Sequence, residues 1–293
     1  MANRKTLLKR RKTARNIRKI TRTMQLISTA RFQQAFNRAM NTRPYADKLA
    51  ELVADLSGSA EGVQHPLIAA PSDAKRTALI VLTSMRGLCG GYNANVLRAA
   101  TNHIDALHDR GVATDVHMYG KKGVGVFKFL RRPMAEQTPR PPDTPRFENV
   151  EPVANGVMRR FVAGEIVSAH VAYMRFLSAG QQRPEVLQLL PLSTAPTTGG
   201  DNGTSKRDVE YEFSPAPRQL LDELLPATVR VRLFQCFTDA AVSEQVARMI
   251  AMKAATDAAG EMIKSLTRRY NRARQTYITM ELLDIVGGAN ALE

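Results

Sequence analysis

Apolar positions in the last third of the chain recur in steps of four and three: Ala259, Ile263, Leu266, Tyr270, Ala273, Tyr277 and Met280. That spacing puts them on one stripe of a helix. It predicts a coiled-coil seam with small residues where a partner helix comes close. Near the other end, Ile17, Ile20, Met24 and Ile27 step by three, four and three and predict a second stripe. Leu49, Leu52, Val53 and Leu56 resume an apolar face beyond it. Pro44 stands between the two and leaves two readings open, a kink or a break. Helix breakers avoid both ends. Of 18 Gly and 15 Pro, none falls in residues 1–43 and only Gly260 falls in 227–286. At 1.5 Å per residue, each arm could extend about 65–90 Å. Two arms of that length are expected to pair antiparallel into a rod.

The middle has a different rhythm. Ala78–Thr83 is a short continuous apolar run, the pattern of a strand buried on both faces. Gly87, Gly90 and Gly91 form a turn. Asn95–His108 follows as a helix with Val96, Leu97, Ala100, Ile104 and Leu107 on one side. Asp115–Tyr119 reads as a second strand and Gly123–Leu130 as a short helix. Thr138–Pro152 holds five prolines and reads as a loop, Val153–Ala163 as a helix, and Ile166–Leu177 and Pro184–Leu190 as strands. Alternation of strand and helix implies a mostly parallel sheet with helices on its faces. The fold class expected is therefore α/β plus a long coiled coil. Its segments are a first arm over 1–57, a linker over 58–76, an α/β domain over 77–193, a polar flexible loop over 194–209 and a second arm over 210–293.

Charge changes this picture. The chain carries 42 Lys+Arg against 27 Asp+Glu, a formal +15, and 13 of the bases lie in residues 1–46, ahead of the first acid, Asp47. The excess belongs to the first arm. An acidic protein partner, nucleic acid or a cleavable targeting peptide would each explain it. No apolar run approaches the ~20 residues of a membrane span, so no transmembrane segment is expected. Cys89 and Cys236 give neither a disulfide framework nor a metal spacing and read as small packed hydrophobes.

Catalytic chemistry is not visible. The Gly87–Gly91 cluster sits between a strand and a helix, as phosphate loops do, but matches neither GxGxxG nor GxxxxGK[ST]. Tight turn geometry is the better reading of it and of Gly120–Gly123. His65, His103, His108, His117 and His170 have no metal-ligand spacing. No catalytic residue, metal or cofactor is expected, which favours a mechanical or binding role. The rivals are a basic coiled coil that binds nucleic acid and a small nucleotide-binding enzyme with helical arms.

Four stretches carry a more specific signal: Ile17–Met24 (IRKITRTM), Gly87–Asn95 (GLCGGYNAN), Ser243–Leu266 (SEQVARMIAMKAATDAAGEMIKSL) and Tyr270–Leu282 (YNRARQTYITMEL). In sequence, order and spacing the chain resembles the gamma subunit of F-type ATP synthases along nearly its full length. Met85, Ala258 and Met280 depart from the family's usual Asp, Asn and Gln. The resemblance implies an antiparallel coiled coil enclosing a small Rossmann-like domain. It implies a central rotary shaft, which couples ion-driven rotation of the membrane c ring to ATP synthesis or hydrolysis at sites in the beta subunits. The implied partners are the alpha and beta subunits, epsilon and the c ring, with no nucleic acid. The implied place is the cytoplasmic face of the bacterial inner membrane, as a peripheral protein that is not itself catalytic.

The resemblance also implies residue roles. Met24 occupies the family's shaft position after its KIT segment. Arg248 matches a contact to the beta lever. Arg274, Gln275 and Thr279 match the segment that meets a beta loop, with Glu281 beside it. Tyr211, flanked by Glu210 and Glu212, aligns with the foot on the c ring.

Overall fold

Two very long helices frame the chain, and five strands and three shorter helices lie between them in sequence. The computed structural model describes residues 4–59, 65–69, 75–138, 145–192 and 217–290. Helix α1 spans Arg4–Ser59 and α5 spans Pro217–Asn290. Pro44 lies inside α1, so the chain does not break there. One lost backbone bond is outweighed by burial on either side, at Ala35, Ala39, Leu49, Val53 and Leu56. Helix α5 runs through Pro226, which lies just ahead of the breaker-poor stretch at 227–286. The chain divides into two units, Met1–Ala30 with Arg248–Glu293, and Arg31–Ala247.

The larger unit holds the sheet, with strands β1 (Arg76–Leu82), β2 (Ala113–Tyr119), β3 (Glu136–Thr138), β4 (Ser168–Phe176) and β5 (Gln182–Leu190) in the order β3-β2-β1-β4-β5. Four strands are parallel, and β5 returns antiparallel along β4. Burial explains the continuous apolar run of β1, whose Ala78–Leu82 are at most 1% exposed. On one face Leu79, Val81, Val116 and Met118 pack under α2 (Tyr92–Asp109) and α3 (Lys121–Phe129). On the other, Ala78, Ile80, Leu82 and Val171 meet α4 (Phe147–Val162) and the first turns of α5, from Leu221 to Ala240. Phe237 is fully buried and meets Tyr119 edge-on, with ring centroids 5.4 Å apart. Within this unit the two long helices also meet directly. Ala35 and Ala39 face Val242 and Val246, with Phe32, Phe36 and Phe176 stacked beside them.

Several local expectations need correction. Helix α4 starts at Phe147, inside the stretch read as a proline loop, and runs through Pro152; burial of Val150, Ala154, Val157, Met158 and Phe161 outweighs the one backbone bond lost there. β3 has three residues, too short for a periodic signal. The stretch read as a linker supplies Leu67 to the core, and its carbonyl accepts from the Leu192 N–H at 2.9 Å. The expected polar loop at 194–209 lies outside the described residues. Cys89 and Cys236 are buried free thiols.

One packed pair makes the unit acid-sensitive. His103 of α2 and His170 of β4 stack with centroids 4.5 Å apart. Burial, then the neighbouring His103, pushes His170 down from 6.5 to about 4; burial, then Arg110, lowers His103 as well. A depressed folded pKa means that the unfolded chain binds the proton more readily, so this contribution is whole above pH 6.5 and is lost as pH falls toward 4. Burial raises Asp239 to about 6, which acts in the opposite direction. The test is therefore a difference between proteins. His170→Leu is expected to reduce the stability lost between pH 7 and pH 5 by about 1 kcal/mol in urea unfolding. Parallel pH profiles for the variant and the unsubstituted chain would remove His170 as the source.

Candidate interaction surface

In the smaller unit α1 and α5 run antiparallel. Leu7, Ala14 and Leu266 are buried together, with Ile263, Tyr270 and Ala273 against them. The Arg11 guanidinium lies 5.0 Å above the Tyr270 ring, and that of Arg4 lies 5.6 Å above Tyr277. Thr256 Oγ1 donates to Thr21 Oγ1 at 2.8 Å. The α5 side of the seam follows the expected four-three spacing as far as Ala273. Beyond it Tyr277 and Met280 are 57% and 51% exposed.

The α1 side corrects the sequence reading. Its seam runs through Leu7, Arg11, Ala14, Thr21 and Ser28, one position after the expected isoleucines. Ile17, Ile20 and Ile27 point outward, 47%, 60% and 49% exposed. Small and hydroxyl side chains, with Arg guanidinium groups over aromatic rings, form a seam that hydropathy alone does not detect. The displaced apolar stripe becomes surface. Ile278, Leu282, Leu283, Ile285 and Val286 extend exposed apolar surface along the end of α5. Exposed apolar surface on this scale marks a binding face. It is also cationic: residues 4–30 and 248–290 carry seventeen Lys and Arg against four Asp and Glu. Among the described residues, no helix is long and apolar enough to cross a membrane.

The residues singled out from the sequence separate into distinct environments. Arg274, Gln275, Thr279 and Glu281 are all exposed along one stretch of α5. The Thr279 hydroxyl donates to the Gln275 carbonyl at 3.0 Å. Met24 is half-buried. Arg248 is 6% exposed and engaged within the chain. Glu210, Tyr211 and Glu212 lie outside the described residues. The outward isoleucines and the apolar end of α5 were missed as surface. For the isoleucines the signal was present in the hydrophobic stripe, which was assigned to the seam.

In the larger unit, the position that usually receives a ligand is occupied by protein. Doubly wound sheets bind ligands where the strand order reverses, at the carboxyl ends of the strands. Here that point lies between β1 and β4, beside Gly87–Gly91. Leu88 and Gly90 turn the chain there with positive φ, which makes the loop a tight turn. Helix α5 passes over it. The Tyr92 hydroxyl donates to the Ala240 carbonyl at 3.2 Å, and the Ser243 hydroxyl to the Met174 carbonyl of β4 at 3.1 Å. Among the described residues, no group of three or more His, Cys, Asp or Glu is placed to hold a metal ion.

Comparison with known proteins agrees with this architecture. A family model described as ATP synthase matches residues 3–292. The ATP synthase gamma chain of Rhodopirellula baltica is 43% identical over 295 residues, covering 100% of both chains. That of Leptospira biflexa is 39% identical, again over 100% of both. In fold the chain is similar to a chain of the Euglena gracilis mitochondrial ATP synthase OSCP/F1/c-ring structure. That match has a TM-score of 0.65 at 15% identity and covers 99% of this chain and 94% of the other. A chain of the Tetrahymena thermophila mitochondrial ATP synthase central stalk and c ring aligns with a TM-score of 0.57 at 17% identity, covering 80% and 99%. On the full-length match, the chain belongs to the ATP synthase gamma-chain family.

Proposed function

We propose that the chain is the central rotary shaft of an F1 sector. It couples ion-driven rotation of the c ring to ATP synthesis or hydrolysis at beta-subunit sites, without catalysing either itself. The observation that carries this reading is the antiparallel helix pair whose seam leaves an apolar and cationic surface turned outward. A shaft acts only through unequal contact. It must favour one beta conformation over another, because a ligand shifts an equilibrium only by its differential affinity. An asymmetric rod in a near-threefold bore meets that requirement at each angle. Single exposed ion pairs contribute only about 0–1 kcal/mol, so many weak contacts transmit torque without any one of them locking the rotor.

Within this reading Arg274, Gln275, Thr279 and Glu281 meet the beta subunits, with Met24 on the opposing helix. Arg248, being buried, holds the helix in place rather than touching a neighbour. Glu210, Tyr211 and Glu212 meet the c ring, and epsilon binds the same rotor. The chain works as a peripheral protein at the cytoplasmic face of a bacterial inner membrane. The crossing of α5 over the strand ends supports the non-catalytic role, since it fills the place a nucleotide would take. Nucleic acid finds no support in the family match.

Mixing the purified chain with an alpha–beta hexamer tests the reading. One copy per hexamer with altered Mg-ATP turnover is the expected result; no complex, or a complex with unchanged turnover, would remove the shaft. A finer expectation concerns residues. Arg4 is stacked on Tyr277 within the rod, whereas Arg274 is exposed. Arg274→Ala should weaken grip on the hexamer more than Arg4→Ala, by up to about fivefold, the effect of one exposed pair. Equal losses would mean that contact is spread evenly along the shaft.

A further inference from the structure

Helix α3 (Lys121–Phe129) carries apolar side chains on two sides, and the sheet needs only one of them. Phe127 is fully buried and Val124 half-buried against β2 and α2. The opposite side presents Val126 and Phe129, followed by Leu130, at 39%, 85% and 51% exposed. Phe129 is the most exposed large apolar side chain among the described residues. The same helix and the turn after it carry Lys121, Lys122, Lys128 and Arg131, all exposed. No acid occurs between Asp115 and Glu136. The acids at its margins are engaged, Asp105 with Arg132 at 2.9 Å and Glu136 with His117 at 3.0 Å.

We infer that this face of α3 is a wedge for an anionic bilayer surface. Val126, Phe129 and Leu130 enter the interfacial layer, and the four cations lie among headgroup phosphates. The shape selects a membrane over a folded protein. Phe129, 85% exposed, projects into solvent, and open space adjoins the helix, since nothing lies within 4 Å of where a Cβ on Gly125 would stand. A protein partner would require a pocket that matches the wedge, whereas lipid closes around any small apolar projection. Lysine and arginine stems adapt as well, keeping their charged ends at headgroup level. Attraction of clustered cations to anionic lipid is additive and falls off within a Debye length. The wedge is thus built for reversible contact and not for anchoring.

The chain contains no Trp, so Phe129→Trp installs a single reporter at the tip. With phosphatidylglycerol–phosphatidylethanolamine vesicles its emission is expected to shift to the blue and to be quenched by brominated acyl chains. Pure phosphatidylcholine vesicles should leave it unchanged. Adding Lys128→Glu and Arg131→Glu should lower vesicle partitioning of the reporter by about thirtyfold or more. The basic first arm can also bind anionic vesicles, and an Ile20→Trp chain reports that mode separately. Co-sedimentation of the Phe129→Trp chain with unshifted indole emission would assign all membrane binding to the arm and overturn the proposal. A shift seen only on assembly with alpha, beta or epsilon would place the wedge in a protein interface and overturn it equally.

Discussion

A chain truncated after Arg269 is expected to fold and to lose coupling. The three core clusters of the larger unit draw nothing from beyond Ala247, so its sheet and helices should be unaffected. In the smaller unit Leu7, Ala14, Ile263 and Leu266 remain, while Tyr270 and Ala273 go. Arg11 and Arg4 lose the rings beneath them, so the start of α1 should fray. Function should suffer far more. The removed segment holds Arg274, Gln275, Thr279, Glu281 and the exposed apolar end of α5. If these residues meet the beta subunits unequally as the shaft turns, forfeiting even about 1.4 kcal/mol of that difference slows ATP synthesis about tenfold. Ion-driven synthesis in reconstituted vesicles, set beside the circular dichroism of the purified chain, separates coupling from folding. Normal synthesis by the truncated chain would refute the assignment of contacts to this end.

Gly120→Ala is expected to be the most damaging single substitution in the sheet domain. Gly120 connects β2 to α3 with φ of 101°, a conformation that costs any L side chain. Space is also lacking. An added Cβ would run into the Thr83 carbonyl, backbone that cannot move aside, and lie 2.7 Å from Thr83 Oγ1. That hydroxyl is already bound to the Tyr119 carbonyl and accepts from the Gly123 N–H, so the contact joins β1, β2 and α3. Strain and clash together should cost about 3 kcal/mol or more. Gly111 is the control. Its φ is 75° with nothing within 4 Å, so Gly111→Ala should carry the conformational cost alone, about 1–2 kcal/mol. Urea unfolding of both variants gives the difference. Equal losses would show that the Thr83 contact relaxes freely.

The residues that announced themselves in the sequence were those whose burial is complete or whose spacing is regular. Ala78–Leu82 could only be a strand covered on both faces. Ala259, Ile263, Leu266, Tyr270 and Ala273 marked their side of the seam because apolar residues occupy it. The α1 side was hidden because Arg11, Thr21 and Ser28 share the packing with Leu7 and Ala14, while Ile17, Ile20 and Ile27 stand one residue away and face out. The same inversion concealed the interaction surface: a shaft that works inside other subunits keeps apolar residues outside, and periodicity does not say which partner a stripe meets. Pro152 masked the start of α4, since proline reads as a breaker unless the burial on either side of it is known. Arg248 could be aligned with a contact, but its burial depends on tertiary packing that no local pattern encodes.

Rotation observed directly tests the central claim. With an alpha–beta hexamer fixed to a surface, a bead attached through Ser178→Cys, in the exposed turn between β4 and β5, would report the shaft's angle. The native thiols are buried and would be left unlabelled. If the chain is the shaft, Mg-ATP drives sustained rotation in one direction, and removing residues after Arg269 weakens its torque. A bead that stays still, or fluctuates without direction, while the hexamer hydrolyses ATP around one bound copy would contradict that role.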